Sequence, residues 1–263
     1  MRLIYWILVL LGLGVPFPSI AQEVPPPLSS DTSFSTKPSE EALPSEMIEA
    51  RPDASLPEES EGTTPDPLEP LNRLSFHLND RLYFWVLKPL ATGYKSILPQ
   101  ETRLGVRNFL SNLTTPVRMA NCLLQARFKE AGNEAVRFLL NSTFGLAGFF
   151  DQAKNEFKIE KTDADFGQTL GVWGVGPFFY IHWFVLGPSN VRDTIGFAGD
   201  LLLDPRTYLL GDPIFYVVRP VELVNDTSLT MGEYEELKRA AIDPYLALRE
   251  AYHQYRQNKI NGK

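Results

Sequence analysis

The chain has 263 residues, a formal net charge of −7, 44% hydrophobic residues and a single cysteine. That length is enough for one domain with a sizeable core, and one cysteine excludes an internal disulfide framework. The acidity is unevenly placed, and its position decides which partners are excluded.

Arg2 precedes an apolar run from Leu3 to Val15, followed by Pro16, Pro18 and Ser19-Ile20-Ala21. A basic residue, an apolar stretch and a small-x-small site predict a secretory signal peptide over 1–21, cleaved after Ala21; the alternative is an uncleaved anchor over Leu3–Ile20. From Gln22 to Pro65 there are eight prolines, eight serines and ten acidic residues in 44 positions, against Lys37, Arg51 and one aromatic, Phe34. Such a segment buries too little apolar surface to offset its chain entropy, so 22–65 is expected to be a disordered acidic linker. With the linker and Arg2 set aside, residues 66–263 carry 22 acidic and 22 basic side chains. A neutral domain has no cationic excess for a phosphate backbone, which excludes nucleic acid as a partner. The domain is expected over 66–258, with a short tail at 259–263.

The domain opens on Asp66-Pro67-Leu68-Glu69, the order of a cap residue, a proline at the first helical position and a glutamate at the third. Leu71, Leu74, Leu78, Leu82 and Trp85 follow at helical spacing, and Pro89 is expected to end the helix. Its polar side carries Asn72, Arg73, Asn79, Asp80 and Arg81, which reads as a solvated face or, in a membrane-embedded protein, as the lining of a wet path. A second helix is predicted from Glu101 to Leu113 with Val106, Phe109, Leu110 and Leu113 on one side. Thr115 is expected to cap a third beginning at Pro116, and a fourth runs from about Lys129 to Asn141. Gly145 and Gly148 suggest either close helix packing or a turn.

The stretch from Asp165 to Asp204 is the most distinctive. Asp163 or Asp165 is placed to cap the helix that leads into it, and from Leu170 to Leu186 it has no formally charged side chain. Gly171, Gly174, Gly176 and Pro177 interrupt the run well short of the ~20 apolar residues that a spanning helix needs. A glycine-broken apolar hairpin is expected instead, with Trp173, Phe178, Phe179, Trp183 and Phe184 on it. Ser189 is the expected cap of a helix carrying Val191, Ile195, Ala198 and Leu202 on one face, and Arg192, Asp193 and Asp200 beside Gly196 and Gly199 on the other. Farther on, Phe215–Val218 reads as a short strand. Asp243-Pro244 starts a last helix with Tyr245, Leu248, Tyr252 and Tyr255 at spacings that fit core packing or a headgroup-level aromatic belt.

No enzyme is legible. His77, His182 and His253 form no H-x-x-x-H or H-E-x-x-H pattern, and there is no G-x-S-x-G elbow, so neither a zinc site nor a serine hydrolase is supported and no cofactor is expected. His182 is expected to be a hydrogen-bonded structural residue, and Cys122 a small buried hydrophobe. Asn141-Ser142-Thr143 fits a glycosylation acceptor but is read as structural.

Several blocks in order resemble one family. Phe166-Gly167-Gln168-Thr169-Leu170-Gly171, Trp173-Gly174-Val175-Gly176 and Gly187-Pro188-Ser189-x-x-Arg192-Asp193 are joined by Asp66-Pro67-Leu68-Glu69-Pro70-Leu71-Asn72-Arg73, Asn108-Phe109-Leu110-x-Asn112-Leu113, Arg137-Phe138-x-x-Asn141-Ser142-Thr143 and Asp243-Pro244-Tyr245. Together they resemble the MlaA family, also called VacJ. The resemblance implies a mainly α, single domain of amphipathic helices curved into a ring embedded in the outer membrane of a Gram-negative bacterium. It implies removal of mislocalised phospholipid from the outer leaflet through an amphipathic channel, a porin trimer as partner, and handover to a soluble periplasmic lipid carrier. On that reading Asn79, Asp80, Arg192, Asp193 and Asp200 would line the lipid path, Arg192 engaging the phosphate. The blander reading pairs Arg192 and Asp193 with partners such as Asp80 or Arg81. The rival function is a structural adaptor that binds a porin without passing lipid; a periplasmic hydrolase comes third.

The chain departs from the family in two places. Members are usually acylated on a cysteine at the cleavage site, whereas no cysteine precedes Cys122; a free N-terminus at Gln22 is expected, with membrane association surviving removal of 22–65. Phe178-Phe179 stands where a Gly-Pro pair is usual, and Phe184 where a proline is common, which implies a stiffer or more deeply inserted hairpin.

Overall fold

The computed structural model describes residues 64–209 and 211–262; the expected signal peptide and nearly all of the expected linker lie outside the described residues. The domain is mainly helical, as expected, with one two-stranded sheet among the described residues.

Helix α1 (Glu69–Leu82) runs through a π-helical turn at Tyr83–Leu87 into α2 (Lys88–Ile97). Pro89 therefore does not end the helix. The Lys88 N–H bonds Tyr83 O, five residues back. That shift of register just before the proline lets its missing donor fall in the first turn of α2. Asp66 is not the cap either: Leu68 holds that position without a side-chain bond. Asp66 instead accepts from Asn72, Tyr245 and Arg249, tying the start of the domain to its last helix.

Next come α3 (Gln100–Leu113), α4 (Thr115–Leu124) and α5 (Phe128–Thr143). Thr114, not Thr115, precedes α4. Thr115 lies inside the first turn and accepts from Arg118 Nη2 at 2.8 Å. Helices α4 and α5 pack side by side, and between them the fully buried Glu134 accepts from Arg118 Nε at 2.8 Å and from the Thr162 N–H at 2.7 Å. The chain then turns through Gly145 and Gly148. At Gly148 φ is +99° and a Cβ would collide with Asn112, so both a left-handed backbone and a close approach require glycine. Asp151 caps the short α6 (Gln152–Asn155) and binds Asn141, which gives the Asn-Ser-Thr triplet a structural role.

Asp165, one of the two residues expected there, caps α7 (Phe166–Val172). Strand β1 (Tyr180–Trp183) pairs antiparallel with β2 (Gly187–Asn190), Tyr180 opposite Asn190 and Trp183 opposite Gly187. The cap of α8 (Val191–Leu203) is Asn190 rather than Ser189, its side chain accepting from the Asp193 N–H; Ser189 is taken up in the strand, opposite Ile181. After α9 (Pro205–Leu209), α10 (Gly211–Leu229) carries Phe215–Val218 in a helix, not a strand, and continues through Pro220. It packs on α2 and α3. Helix α11 (Glu233–Ala240) leads to α12 (Pro244–Ile260), which starts on Asp243 as expected and runs two residues past 258.

Among the described residues two small apolar clusters are buried. One is Phe76, Tyr180, Tyr245, Leu248 and Tyr252, so the aromatic stripe of α12 is core. The other surrounds Cys122 with Ala131 and Ala164, and burial pushes the Cys122 thiol up.

The partition of side chains is the reverse of that in a water-soluble bundle. On α1, Asn72 is 2% exposed while Leu71 and Leu74 are 63% and 56% exposed; of the polar side, Asn72 faces inward, Arg73, Asn79 and Asp80 are half-buried and Arg81 is exposed. The same holds around the molecule: Trp85, Ile97, Phe128, Phe144 and Leu202 are exposed, whereas Arg103, Arg118, Arg137, Arg192 and Arg206 are buried. Among the described residues no helix is long and apolar enough to cross a membrane.

Candidate functional site

The centre of the molecule is a polar junction where α7 and α8 lie against each other and α12 packs on α7. The helices approach closely because Gly167 and Gly196 face one another; a Cβ at Gly167 would meet Asp193 Oδ1 at 2.6 Å and Arg256 Nη2 at 2.7 Å. Into that space α12 sends Arg256. Its guanidinium donates to both oxygens of Asp193, from Nη2 at 2.8 Å and Nε at 2.9 Å, and to both of Asp165, at 2.6 and 2.9 Å. Asp193 accepts further from Tyr252 OH at 2.6 Å, Asn190 Nδ2 at 2.7 Å and Arg192 Nε at 2.9 Å. Paired and fully hydrogen-bonded charges are the form in which ionised groups persist out of water. Burial opposes ionisation of Asp193, but the charge of Arg256 and the bonds from Arg192 and Arg256 outweigh it and hold its pKa near about 2.

Asp200, two turns along α8, has the opposite environment. It accepts from the Phe166 N–H at 3.1 Å and from Asn121 Nδ2 at 2.8 Å, with no cation bound to it. Burial, then the charge of Asp165, push its pKa up to about 7 against those bonds. From Asn121 a chain of neutral hydrogen bonds continues through Thr169 to Gln125.

The five expected path residues fall into three settings. Arg192 and Asp193 share the junction, Arg192 being 3% exposed and bonded to Asp193; the further partners of Asp193 come from α12 and the α8 cap, not from Asp80 or Arg81. Asp200 sits beside them on the α4 side. Asp80 accepts from Tyr234 and Lys238 of α11, and Asn79 binds the hairpin, donating to Trp183 O at 2.9 Å and accepting from the Val185 N–H at 2.8 Å. Asn72, two turns earlier on α1, does the same for β1: it donates to Tyr180 O and accepts from the His182 N–H. Val185 has φ +68°, a costly conformation for a β-branched residue, and Asn79 is what grips its N–H. His182 is buried with its Nδ1 near Ser75 Oγ at 3.2 Å, and burial lowers its pKa to about 4, so it is the neutral, hydrogen-bonded residue expected. Of the expected hairpin residues, Trp173, Phe178, Trp183 and Phe184 are exposed and Phe179 is half-buried.

Arg256 is the site residue that sequence reasoning passed over, while Asp165 was expected only as a cap and Asn72 only on the polar side of the first helix. A signal for it existed: Arg256 continues the Tyr245, Leu248, Tyr252 stripe by another four residues. Asn72 and Asn79, seven apart, share one face of α1.

The fold and the junction define a class of protein: a mainly helical domain with paired charges inside, apolar helix faces outside and a clamped apolar hairpin. The chain belongs to the MlaA lipoprotein family, which it matches over residues 64–259. It is 34% identical over 203 residues to the intermembrane phospholipid transport system lipoprotein MlaA of Haemophilus influenzae, covering 74% of this chain and 79% of that one. It is 32% identical over 200 residues to the protein of the same name from Escherichia coli, covering 75% and 79%. An uncharacterized protein of Rickettsia felis is 32% identical over 196 residues, covering 74% and 78%. A structure solved in work on the structural basis for maintenance of bacterial outer membrane lipid asymmetry superposes with a TM-score of 0.67 at 31% identity, covering 74% of this chain and 99% of that one.

Proposed function

We propose that this protein transports phospholipid at the outer membrane of a Gram-negative envelope, taking mislocalised lipid from the outer leaflet and passing it to a soluble periplasmic carrier, beside a porin trimer. The carrying observation is the reversed partition: helix faces bearing Leu71, Leu74, Trp85, Ile97 and Leu202 point outward while arginines and carboxylates are paired inside. Apolar surface of this extent is stable against acyl chains, each buried methylene contributing ~0.8 kcal/mol. The headgroup needs the opposite surroundings, a wet and polar route, and the polar sides of α1 and α8 are where such a route would be framed. Asn79, Asp80, Arg192, Asp193 and Asp200 then act mainly by holding its walls, because each is engaged by protein partners. No step makes or breaks a covalent bond, and direction comes from the affinity of the acceptor.

The test is reconstitution with a porin in asymmetric vesicles carrying labelled outer-leaflet phospholipid. Label should move to an added carrier only when the protein is present. A protein that binds the porin and leaves the label in place would be an adaptor, and this reading would fail. Arg192→Gln, which keeps length and part of the hydrogen bonding, should lower the transfer rate while the variant still reaches the membrane.

A further inference from the structure

Away from the junction, the surface between α5, the 160–163 segment and the end of α12 encloses a cleft of about 350 Å³. Arg127, Lys161 and Lys259 bring three cations to it, and Glu130, Glu160 and Asp163 bring three carboxylates. The charges are mixed and balanced, so the cleft does not select a simple anion or a simple cation. Arg127 is engaged by Glu130 and Gln125 Oε1 and Glu160 by Lys154, whereas Lys161 and Lys259 share Asp163 at 3.2 and 3.5 Å on side chains that are only partly buried. Pairs of that kind contribute little and exchange readily for a better partner. The contrast with Arg256, locked between two carboxylates at 2.6 to 2.9 Å, is large.

Gln168 adds an independent observation. It lines the cleft and is 2% exposed, and its amide nitrogen donates to Asp165 Oδ2 at 2.8 Å. A carboxylate accepts only, so that bond fixes the amide's orientation and assigns the other atom as oxygen. That oxygen, Oε1, is buried without any hydrogen-bond partner. A buried acceptor left unmet is costly and marks a place where a donor belongs.

We propose that this cleft binds a phosphoethanolamine group: the ammonium donates to Gln168 Oε1 and to the acidic rim, and the phosphate lies against Lys161, Lys259 and Arg127. A zwitterion of this size satisfies both signs of charge at once, which neither inorganic phosphate nor an anionic glycerol headgroup does. The inference rests on the lipid-transport reading for its natural source, a lipid-borne headgroup, and the same chemistry is presented by the free glycerophosphoryl ester.

The experiment is titration of the purified full chain in non-ionic micelles with sn-glycero-3-phosphoethanolamine, followed by calorimetry or amide chemical shifts. Saturable binding is expected, with sn-glycero-3-phosphoglycerol and inorganic phosphate each about tenfold weaker for want of the ammonium contacts. Lys161→Glu, on an exposed side chain that leaves the fold intact, should weaken the zwitterion about tenfold, and Gln168→Leu should weaken it similarly. Doping the micelles with phosphatidylethanolamine separates the sources: displacement of the soluble ester identifies the lipid-borne group, and its persistence identifies the free one. Absence of saturable binding overturns the site, as does inorganic phosphate binding equally well or a Lys161→Glu protein whose affinity is unchanged. Should labelled lipid still transfer when no headgroup ester binds, the cleft assignment alone fails; should the ester bind while no lipid transfers, the transport reading alone fails.

Discussion

Helix α8 holds both halves of the molecule's logic within thirteen residues. Its inner side carries Arg192, Asp193, Gly196 and Asp200, bonded to α12, α7 and α4; its outer side carries Ile195, Leu202 and Leu203, exposed at 54%, 71% and 38%. In water the outer side forfeits about 1.5–3 kcal/mol for each large apolar side chain left unburied. The inner side meanwhile bears the desolvation of several charges. Neither choice suits a protein surrounded by water, and both suit one whose surroundings are acyl chains. Stability and affinity for apolar surroundings are thus assigned to different faces of the same helix and should respond to different mutations.

The largest effect is expected from Arg256→Gln, which strands Asp193 and Asp165 at the junction. About 3–5 kcal/mol of folding stability should disappear, visible as a lower denaturation midpoint in detergent, and a change below 1 kcal/mol would mean that water replaces the guanidinium at little cost. The pH response of the same region comes next. Asp193, with a folded pKa of about 2 against 3.8, contributes stability that is complete above pH 4 and lost as pH falls towards 2. Asp200 works in the other sense: its folded pKa of about 7 lies above 3.8, so the unfolded chain releases the proton first and stability declines as pH rises from about 4 to 7. Asp200→Asn should flatten that decline and leave the variant more stable than the parent at pH 7.5, by on the order of 3 kcal/mol. Equal pH slopes in the two proteins would rule out the assignment.

On the outer face the expected pattern inverts. Leu202→Ser should move the unfolding midpoint by no more than about 0.5 kcal/mol, as exposed sites do, yet lower partition into phospholipid vesicles by roughly tenfold or more. Sedimentation with liposomes reads this directly, and unchanged partition would take that face out of the membrane. The smallest effect belongs to the exposed Glu69–Arg73 pair on α1. Glu69→Ala should cost about 0.3–0.5 kcal/mol, diminishing with salt.

Much of this was legible in the residues, because helix signals are local. Asp165 and Asp243 were caps for the reasons their positions suggested, and Tyr245, Leu248 and Tyr252 were core because their spacing left no other common face. What periodicity does not report is which way a face points. The stripe Leu71, Leu74, Leu78 looks the same whether it meets a protein core or an acyl chain, and here it points outward. Other departures came from competition between neighbours. Ser189 and Asn190 are both capable caps, and strand pairing claimed the first. Pro89 would have stopped an ordinary α-helix, and the π-helical turn before it has no sequence signature of its own. Arg192 and Asp193 were open to either a lipid path or protein partners, and the partner of Asp193, Arg256, lies more than sixty residues downstream, beyond what spacing along one helix reveals.

The grip of α1 on the hairpin has a consequence for the chain as it folds. A short, apolar, two-stranded ribbon ordinarily exposes a row of unpaired amides and carbonyls, a template for pairing with any other extended chain. Along β1 that row is closed: the Tyr180 N–H donates to Pro65 O, Tyr180 O and the His182 N–H are taken by the Asn72 amide, and beyond it Asn79 takes Trp183 O and the Val185 N–H. Two side-chain amides thus do the work of a third strand. Because α1 precedes the hairpin by about a hundred residues, its asparagines have already been synthesised when the ribbon emerges, so the chain carries its own guard against self-association. Asn72→Leu would open that edge and leave Tyr180 O and the His182 N–H without their partner, so both a less stable fold and self-association through the ribbon are expected, read as a lower unfolding midpoint and as aggregation on refolding.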